Sequence, residues 1–236
     1  MAKTDLHIHT RHSDGLNTVA DVARRGRRAG VTCGICDHVS PYHLMYEVEA
    51  FDAYVADVRS HELLLGAEYC IGAEIPVDAE RLGRLDYLLG GVHSVHLDDR
   101  NYFFWSEDAP PDAASFVEAY TATLLAELAN GPLHVVAHPT YLPSYLQDRY
   151  DEIWTPARCE EVFAAAARAG VALEISGRWL VPREGPLRVA AAMGLTFSLG
   201  SDAHRPDELF NLEYPLAMVE KLRIPEERIF WPRRKA

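Results

Sequence analysis

Residues of the types that bind metal ions recur along this 236-residue chain. Histidine supplies a neutral nitrogen ligand, whereas aspartate and glutamate supply oxygen ligands and negative charge that offsets a divalent cation. No cysteine falls among them, which favours a mixed nitrogen and oxygen site for Zn, Mn or Fe over a structural zinc site held by thiolates. The residues concerned are His7, His9, Asp37, His38, Glu74, His93, His138, Glu174, Asp202 and His204.

The positions of these residues follow a series of predicted strands. We predict seven short strands, at Thr4–His9, Val31–Asp37, Glu68–Ile75, Asp86–Val92, Leu133–Ala137, Val171–Ile175 and Leu195–Leu199. Nearly all of the ligand-type residues fall at the carboxyl end of a strand. In a closed barrel of alternating strands and helices these ends meet at one mouth, where the active sites of such enzymes lie. His7 and His9 are two residues apart, so they share one face of a strand and can reach one ion.

Helix-like segments separate the predicted strands. We predict helices at Val19–Ala29, Phe51–Ser60, Asp112–Ala129, Pro156–Ala169, Pro186–Met193 and Pro215–Leu222. The strands are apolar throughout, which is typical of a buried parallel sheet. The alternation predicts an α/β fold, either a barrel or a doubly wound sheet, in a single domain over residues 1–236. The two longest predicted loops are His38–Glu47 and Ser94–Pro111, and we expect binding loops or lids there.

The composition is that of an ordinary globular protein, with 48% hydrophobic and 25% charged residues. No apolar run is long enough to span a membrane and the N-terminus lacks the apolar stretch of a signal peptide, so we expect a cytoplasmic location. The net charge of -12 disfavours non-specific binding to nucleic acid. Cys33 and Cys36 lie three apart in a predicted strand and would face opposite sides, so we expect buried thiols there. The oligomeric state stays open.

Several segments, taken in order, resemble the metal-binding motifs of the polymerase and histidinol phosphatase (PHP) family. The segments are DLHIHTRHSDG, ICDH, GAE, GVHS, AHP and GSDAH, spread over residues 5–204. A single His-x-His pair is a weak signal, whereas the full ordered series is specific. The resemblance implies a distorted (β/α)7 TIM-like barrel that carries two or three divalent metal ions, Zn, Mn or Fe.

The same resemblance implies a ligand set for each ion. The ligands of the first ion would be His7, His9, Glu74 and Asp202. The ligands of the second would be Glu74, His93 and His138, so that the two oxygens of Glu74 bridge both ions. The ligands of the third would be Asp14, His38 and His204. The position of Asp14 is often histidine in relatives, which makes the third site the one most open to variation.

The reaction that the resemblance implies is hydrolysis of a small phosphomonoester. Paired metals would lower the pKa of a bound water and offset charge on the phosphoryl oxygens. Asp202 or His204 is placed to help protonate the leaving alkoxide. Arg178, just beyond the sixth predicted strand, is our candidate for a phosphate clamp, because a guanidinium offers paired donors to phosphate oxygens. Arg183 and Arg205 are weaker candidates.

Two further segments, DYLLGGVHSVH and GSDAHRPDEL, resemble the histidinol-phosphate phosphatase branch, which implies a place in histidine biosynthesis. Two alternatives stay open. One is a nucleotide or oligonucleotide phosphoesterase of the same family, because HSDG openings occur there too. The other is a metal-binding regulatory module without catalysis, which the intact ligand set disfavours.

Some residues of ligand type are expected to have other roles. Glu174 is expected to orient a ligand histidine or to pair with an arginine. Five histidines match no motif, namely His12, His43, His61, His96 and His134. We interpret them as surface or packing residues, with His96 the best candidate among them to line a pocket. The aromatic residues Phe103, Phe104 and Trp105 either pack on the core or face the substrate.

Overall fold

The computed structural model describes residues 3–42, 47–106, 108, 110 and 112–235. The strands in these ranges are β1 (Lys3–Ile8), β2 (Val31–Ile35), β3 (Leu64–Leu65), β4 (Glu68–Cys70), β5 (Leu89–Gly91), β6 (Ser94–Leu97), β7 (Arg100–Phe103), β8 (Val135–Val136), β9 (Ala172–Ser176) and β10 (Phe197–Gly200). The α-helices are α1 (Val19–Ala29), α2 (Val48–Ser60), α3 (Ala79–Leu82), α4 (Ala113–Asn130), α5 (Tyr150–Ile153), α6 (Pro156–Ala169), α7 (Glu184–Ala192) and α8 (Glu213–Lys221). None of these described helices is both long enough and apolar enough to cross a membrane.

The parallel strands follow one another in chain order around a ring. β1, β2 and β3 form one parallel sheet, and β4, β5, β8, β9 and β10 form another. The first junction is a backbone bridge between His38 and Glu68, which links the end of β2 to β4. At the second junction, His9 N donates a hydrogen bond to Ala203 O at 2.9 Å and links β1 to the segment after β10. With β3 and β4 counted as one interrupted strand, this order fits the predicted distorted (β/α)7 TIM-like barrel.

Two apolar clusters hold the ring together. The smaller one draws residues from successive strands, as expected for the interior of a barrel, and comprises Leu6, Cys36, Leu64, Tyr87, Leu89, Val135, Ala137 and Ala172. The larger one packs the strands against the helices, with Phe51 of α2, Phe116 of α4 and Phe163 of α6 fully buried in it. Cys33 and Cys36 are free and buried, as predicted, and so are Cys70 and Cys159.

A bulge in β1 brings successive side chains to different parts of the interior. Asp5 pairs with Cys33 and Ile8 pairs with Ile35, so β1 carries one residue more than β2 between these pairs. A bulge breaks the strict alternation of side chains along a strand. The residue after Asp5, a leucine, joins the inner cluster, while the histidine that follows it reaches the mouth of the ring.

Two of the helices occupy the predicted ranges because both of their ends carry strong signals. The side chain of Thr18 accepts a backbone hydrogen bond at the start of α1, and the side chain of Thr155 does the same for α6. Gly30 and Gly170 end these helices with φ values of 65° and 68°, in the left-handed region that glycine adopts at little energetic cost.

The predicted loop Ser94–Pro111 contains a β-hairpin, and this corrects the sequence prediction. β6 pairs antiparallel with β7, and Ser94 lies opposite Phe103. Asp98 and Asp99 form the turn with φ values of 51° and 59°, as in the type I′ turns that suit two-residue hairpin loops. The prediction missed this turn because it lacks the glycine that usually marks one. Residues 107, 109 and 111 of the predicted loop, and residues 43–46 of the other, lie outside the described ranges.

Candidate metal centre

Glu68, the first residue of β4, lies at the centre of a buried group of histidines. Its Oε2 atom is 3.2 Å from His7 Nε2 and 3.3 Å from His38 Nδ1. Its Oε1 atom is 3.1 Å from His138 Nε2 and 3.3 Å from His93 Nε2. The two oxygens of one carboxylate therefore face two separate sets of ring nitrogens, which is the arrangement required to bridge two ions.

The carboxyl ends of the parallel strands bring these side chains together. The ligand-type residues that follow a strand are His9 after β1, His38 after β2, His93 after β5, His138 after β8, and Asp202 and His204 after β10. His138 and Asp202 have positive φ values of 29° and 53°. Such backbone conformations are uncommon outside glycine and cluster at functional sites. The convergence on one mouth that the sequence predicted is present.

Within the described ranges, three overlapping groups have ligand atoms close enough to hold an ion, because the atoms of each group lie within 4.8 Å of one another. The groups are His7, His9 and Glu68; Glu68, His93 and His138; and His9, Asp14, His38 and His204. Asp202 borders the first group, with its Oδ1 atom 3.3 Å from His9 Nε2 and 3.7 Å from His7 Nε2. Shared members join the three groups into one cluster.

Glu74, the predicted bridging ligand, is not part of this cluster. The sequence contains the triplet Gly-Ala-Glu twice, at residues 66–68 and 72–74, and the prediction chose the second copy. β4 ends at Cys70, and the chain then turns away through Gly72 at a φ of 87°. Glu74 is exposed and lines a separate cavity beside Glu47. The carboxylate at the centre of the histidines is therefore that of Glu68 and not, as predicted, that of Glu74.

Glu174, in β9, holds two of the histidine segments in place. Its Oε1 atom lies 2.7 Å from His7 Nδ1, and its Oε2 atom accepts a hydrogen bond of 2.5 Å from the backbone N–H of His138. A carboxylate on one ring nitrogen fixes the tautomer of a histidine and leaves the other nitrogen free for a metal. Glu174 has the orienting position that the sequence indicated, with its partners now identified.

Asp37 holds the loop that carries Asp14 to the cluster. Its carboxylate accepts hydrogen bonds from Thr10 N at 2.7 Å, Thr10 Oγ1 at 2.6 Å and Ser13 Oγ at 2.6 Å. Asp14 then lies with Oδ2 3.3 Å from His204 Nε2. Asp37 itself is in none of the three groups, so its position indicates support for the loop.

Burial and charge act in opposite directions on the titrating groups of the cluster. Burial alone would raise the pKa of Glu68, but the positive charges of His7 and His93 hold it well below its ordinary value. Burial lowers the pKa of His93, whereas the Glu68 carboxylate raises it, with a net result of about 10. A metal ion that binds His93 must therefore displace a proton, which makes its binding dependent on pH.

His9 provides the test of whether a metal ion fits these residues. Both of its ring nitrogens are buried, and within the described ranges neither has a hydrogen-bond partner of normal geometry. Leaving buried polar atoms unbonded costs free energy. Carboxylate oxygens of Asp14 and Asp202 lie 3.7 and 3.3 Å from the two nitrogens. A divalent ion between His9 Nε2 and the Asp202 carboxylate would satisfy that nitrogen, and the donor set suits Zn, Fe or Mn.

A pocket of about 250 Å³ leads to the cluster. Its wall outside the ligand groups consists of Phe104, Trp105, Tyr141, Arg178 and Trp179. The sequence prediction named Phe104 and Trp105 as possible substrate-facing residues and missed Tyr141 and Trp179. Trp179 directly follows Arg178 in the loop after β9, so its place in that loop was the available signal.

Arg178 reaches the mouth of the ring, as the predicted phosphate clamp requires. Its Nη1 atom lies 3.0 Å from His204 Nδ1, donates to Asp202 O at 3.3 Å and donates to Glu208 Oε2 at 3.2 Å. The weaker candidates lie elsewhere. Arg183 lies over the ring of Tyr150, and Arg205 pairs with Asp207, and neither lines the pocket.

The described histidines outside the motifs also lie away from the pocket. His12 pairs with Asp57 at 2.9 Å, and His61 lies 3.6 Å from the same carboxylate. His134 accepts a hydrogen bond from a backbone N–H. His96 is exposed on β6 and does not line the pocket, contrary to the expectation that it was the best candidate among these histidines. His43 lies outside the described residues.

Comparisons with known proteins agree with this geometry. The PHP domain family model matches residues 5–178, which include the Glu68 cluster from His7 to His138. The chain is also similar to the probable phosphatase YcdX of Escherichia fergusonii, at 29% identity over 248 aligned positions. That alignment covers 97% of this chain and 89% of the relative. The chain therefore belongs to the PHP domain family.

Proposed function

We propose that this protein is a metal-dependent phosphoesterase that hydrolyses a small phosphomonoester. The observation that carries the proposal is the Glu68 carboxylate, whose two oxygens face two sets of histidine nitrogens at the base of a pocket. The family and the similarity to a probable phosphatase support the same reaction class.

The proposed ligands follow the three groups of the cluster. The first ion would be held by His7, His9, Glu68 and Asp202, the second by Glu68, His93 and His138, and the third by Asp14, His38 and His204, with His9 at its edge. Divalent ions bound there would lower the pKa of water and offset the charge of the phosphoryl oxygens. We propose Zn, Mn or Fe, with two or three ions per chain.

Residues of the chain itself would bind the phosphoryl group and assist the leaving group. Arg178 is held beside His204 and Asp202, so its guanidinium is positioned to donate hydrogen bonds to phosphate oxygens. His204 is 20% exposed and faces the pocket, and we propose that it or Asp202 delivers the proton to the leaving alkoxide.

For the substrate, we propose a histidinol-phosphate-like phosphomonoester, the assignment that the resemblance to that branch favours. The pocket volume of about 250 Å³ lies near the lower end for small-molecule sites, which suits a small phosphorylated substrate. A nucleotide phosphoesterase is the second candidate. The net charge of -12 and the small pocket both disfavour a long nucleic acid strand.

The test is turnover by the purified protein with Zn, Mn and Fe supplied separately. The panel contains histidinol phosphate, nucleoside monophosphates and p-nitrophenyl phosphate, with metal content measured on the same samples. We expect turnover with at least one metal and a loss of about 100-fold or more in kcat/KM for His93→Ala. Two or three bound ions without turnover of any phosphoester would favour the regulatory module instead.

The preference within the panel decides the finer assignment. The histidinol-phosphate assignment is supported if kcat/KM for histidinol phosphate is at least about tenfold above that for every other substrate of the panel. Such a ratio corresponds to roughly 1.4 kcal/mol of discrimination. A nucleoside monophosphate that leads by the same margin would replace it with the second candidate. Full activity in His93→Ala would contradict the proposed bridged pair of ions.

A further inference from the structure

The wall of the pocket is aromatic on the side away from the ligand groups. The rings of Tyr141 and Trp179 lie 4.3 Å apart between centroids, and Phe104 lies 5.9 Å from Tyr141. The Arg178 guanidinium lies 5.1 Å from the centre of the Trp179 ring. This wall therefore offers π faces and one guanidinium to any molecule bound at the cluster.

Trp105 extends this wall at the pocket rim without being needed by the core. Its side chain is 60% exposed, although it stacks on Phe103 at 4.9 Å between ring centroids. The neighbouring Phe104 donates its backbone N–H to His93 O at 2.9 Å, which ties this segment to a residue of the cluster. A large exposed aromatic ring that is anchored beside a site is a typical feature of ligand contact.

The charges in the pocket add a second constraint. Among the described residues that line it, the only carboxylates are Asp14, Glu68 and Asp202, all at the cluster and facing its histidines. Among the described residues, the rest of the pocket wall carries no negative charge to pair with a cationic group. Recognition away from the phosphate therefore depends on apolar contact and ring stacking.

We propose that Trp105, Tyr141 and Trp179 form a leaving-group subsite that selects phosphomonoesters whose alcohol carries a planar aromatic or heteroaromatic ring. This inference rests on the proposed phosphoesterase function and adds the chemical class of the leaving group. Stacking between aromatic rings stabilises a pair beyond simple burial of area, so a flat ring gains more on this wall than an aliphatic ring of similar size.

The test compares two substrates that differ in planarity. Benzyl phosphate and cyclohexylmethyl phosphate both leave as primary alkoxides of similar size, and only the benzyl ring can stack. We expect kcat/KM to be roughly tenfold higher for benzyl phosphate. Glycerol 2-phosphate, which has no ring, is the third substrate. Its turnover measures phosphomonoester hydrolysis without any contribution from ring stacking.

Two variants assign the preference to the wall. Trp105→Ala removes an exposed ring whose loss leaves the core intact, and Tyr141→Ala removes the ring opposite Trp179. We expect each to reduce the benzyl preference, the ratio of kcat/KM for benzyl phosphate to kcat/KM for cyclohexylmethyl phosphate, several-fold. Trp231→Ala is the matched control, because Trp231 is 53% exposed and does not line the pocket.

The outcomes separate this inference from the proposed function. Equal or faster turnover of cyclohexylmethyl phosphate, or a benzyl preference that survives Trp105→Ala and Tyr141→Ala, overturns the subsite while hydrolysis stands. No turnover of any of the three substrates with any of the three metals overturns the proposed function and the subsite with it.

Discussion

The indole Nε1 of Trp179 donates a hydrogen bond of 2.5 Å to Oδ2 of Asp202. The other oxygen of the same carboxylate, Oδ1, faces His9 Nε2 at 3.3 Å. One side chain of the pocket wall therefore orients a carboxylate that borders the cluster of ligand-type residues. Hydrogen bonds of this outer-sphere kind orient ligands and tune metal affinity. A substitution in the pocket wall is therefore expected to change how Asp202 is oriented towards the cluster.

We expect Trp179→Phe to lower kcat for p-nitrophenyl phosphate by roughly tenfold, or to weaken metal binding by a similar factor. The phenyl ring keeps an apolar face in the pocket, whereas the hydrogen bond to Asp202 is lost. Steady-state kinetics and metal content after competition with a chelator measure the two effects separately.

Trp231→Phe controls for the change of ring type, because Trp231 is exposed and lies outside the pocket wall. It should match the unsubstituted protein in both measurements. Unchanged kcat and unchanged metal affinity in Trp179→Phe would show that the hydrogen bond has no role in orienting Asp202.

The two Gly-Ala-Glu triplets show where the sequence sufficed and where it failed. The strand ends and the six histidines of the cluster could be predicted, because each of them lies in or just after an apolar strand, with His7 and His9 sharing β1. The choice between Glu68 and Glu74 could not be predicted, because both glutamates lie within one predicted strand, Glu68–Ile75. The two glutamates differ in that β4 ends at Cys70, so that Glu68 lies in the strand and Glu74 lies beyond it. The sequence does not show where the strand ends.

The aromatic wall was only partly predictable for a different reason. Tyr141 and Trp179 lie in loops after β8 and β9, and their distance of 4.3 Å depends on how two loops fold over one mouth. No spacing in the sequence encodes such a contact between distant loops. The adjacency of Trp179 to Arg178 was the one local clue.

The bridging assignment can be tested with the two triplets as a matched pair. We expect Glu68→Gln to lower kcat/KM by at least about 100-fold and to reduce the number of bound ions, because a carboxylate that faces five histidines loses its charge. Glu74→Gln makes the same chemical change at an exposed position and should retain full activity and metal content. The reverse pattern, with loss of metal only in Glu74→Gln, would restore the ligand set first predicted from the sequence.

Glu174 offers a test of how the histidines are positioned. Glu174→Gln keeps the shape of the side chain, but it replaces one of the two acceptor oxygens used by His7 Nδ1 and His138 N with a donor group. We expect metal affinity to fall by about 10- to 100-fold. Titration with a metal-sensitive dye measures this loss.

Glu160→Gln is the control for Glu174→Gln, since Glu160 is exposed on α6. Its metal affinity should equal that of the unsubstituted protein. If Glu174→Gln also binds metal with unchanged affinity, the orienting role assigned to Glu174 is wrong.

Asp86 gives a prediction about stability that is independent of the metals. Its carboxylate accepts hydrogen bonds from both terminal nitrogens of Arg59 at 2.9 Å and from the backbone N–H groups of Leu65 at 2.8 Å and Lys235 at 2.6 Å. Burial alone would raise the pKa of Asp86, but the hydrogen bonds from Arg59 and from the backbone hold it below the ordinary value. The ionised carboxylate thus ties α2, β3 and the C-terminal segment together.

A depressed pKa in the folded state means that this stabilisation is fully present above the unfolded-state pKa of about 3.9 and is lost as the pH falls through the folded-state value. We expect Asp86→Asn to lower the free energy of unfolding by about 2 kcal/mol at pH 7, because hydrogen bonds to a charged group are lost. Denaturant unfolding of both proteins at pH 7, 5 and 3.5 measures the difference in unfolding free energy, which should be the same at pH 7 and pH 5 and smaller at pH 3.5.

Asp148→Asn is the control, because Asp148 is exposed, and its unfolding free energy should stay within about 0.5 kcal/mol of that of the unsubstituted protein. A difference in unfolding free energy between Asp86→Asn and the unsubstituted protein that stays constant down to pH 3.5 would mean that the charge of Asp86 contributes nothing to it.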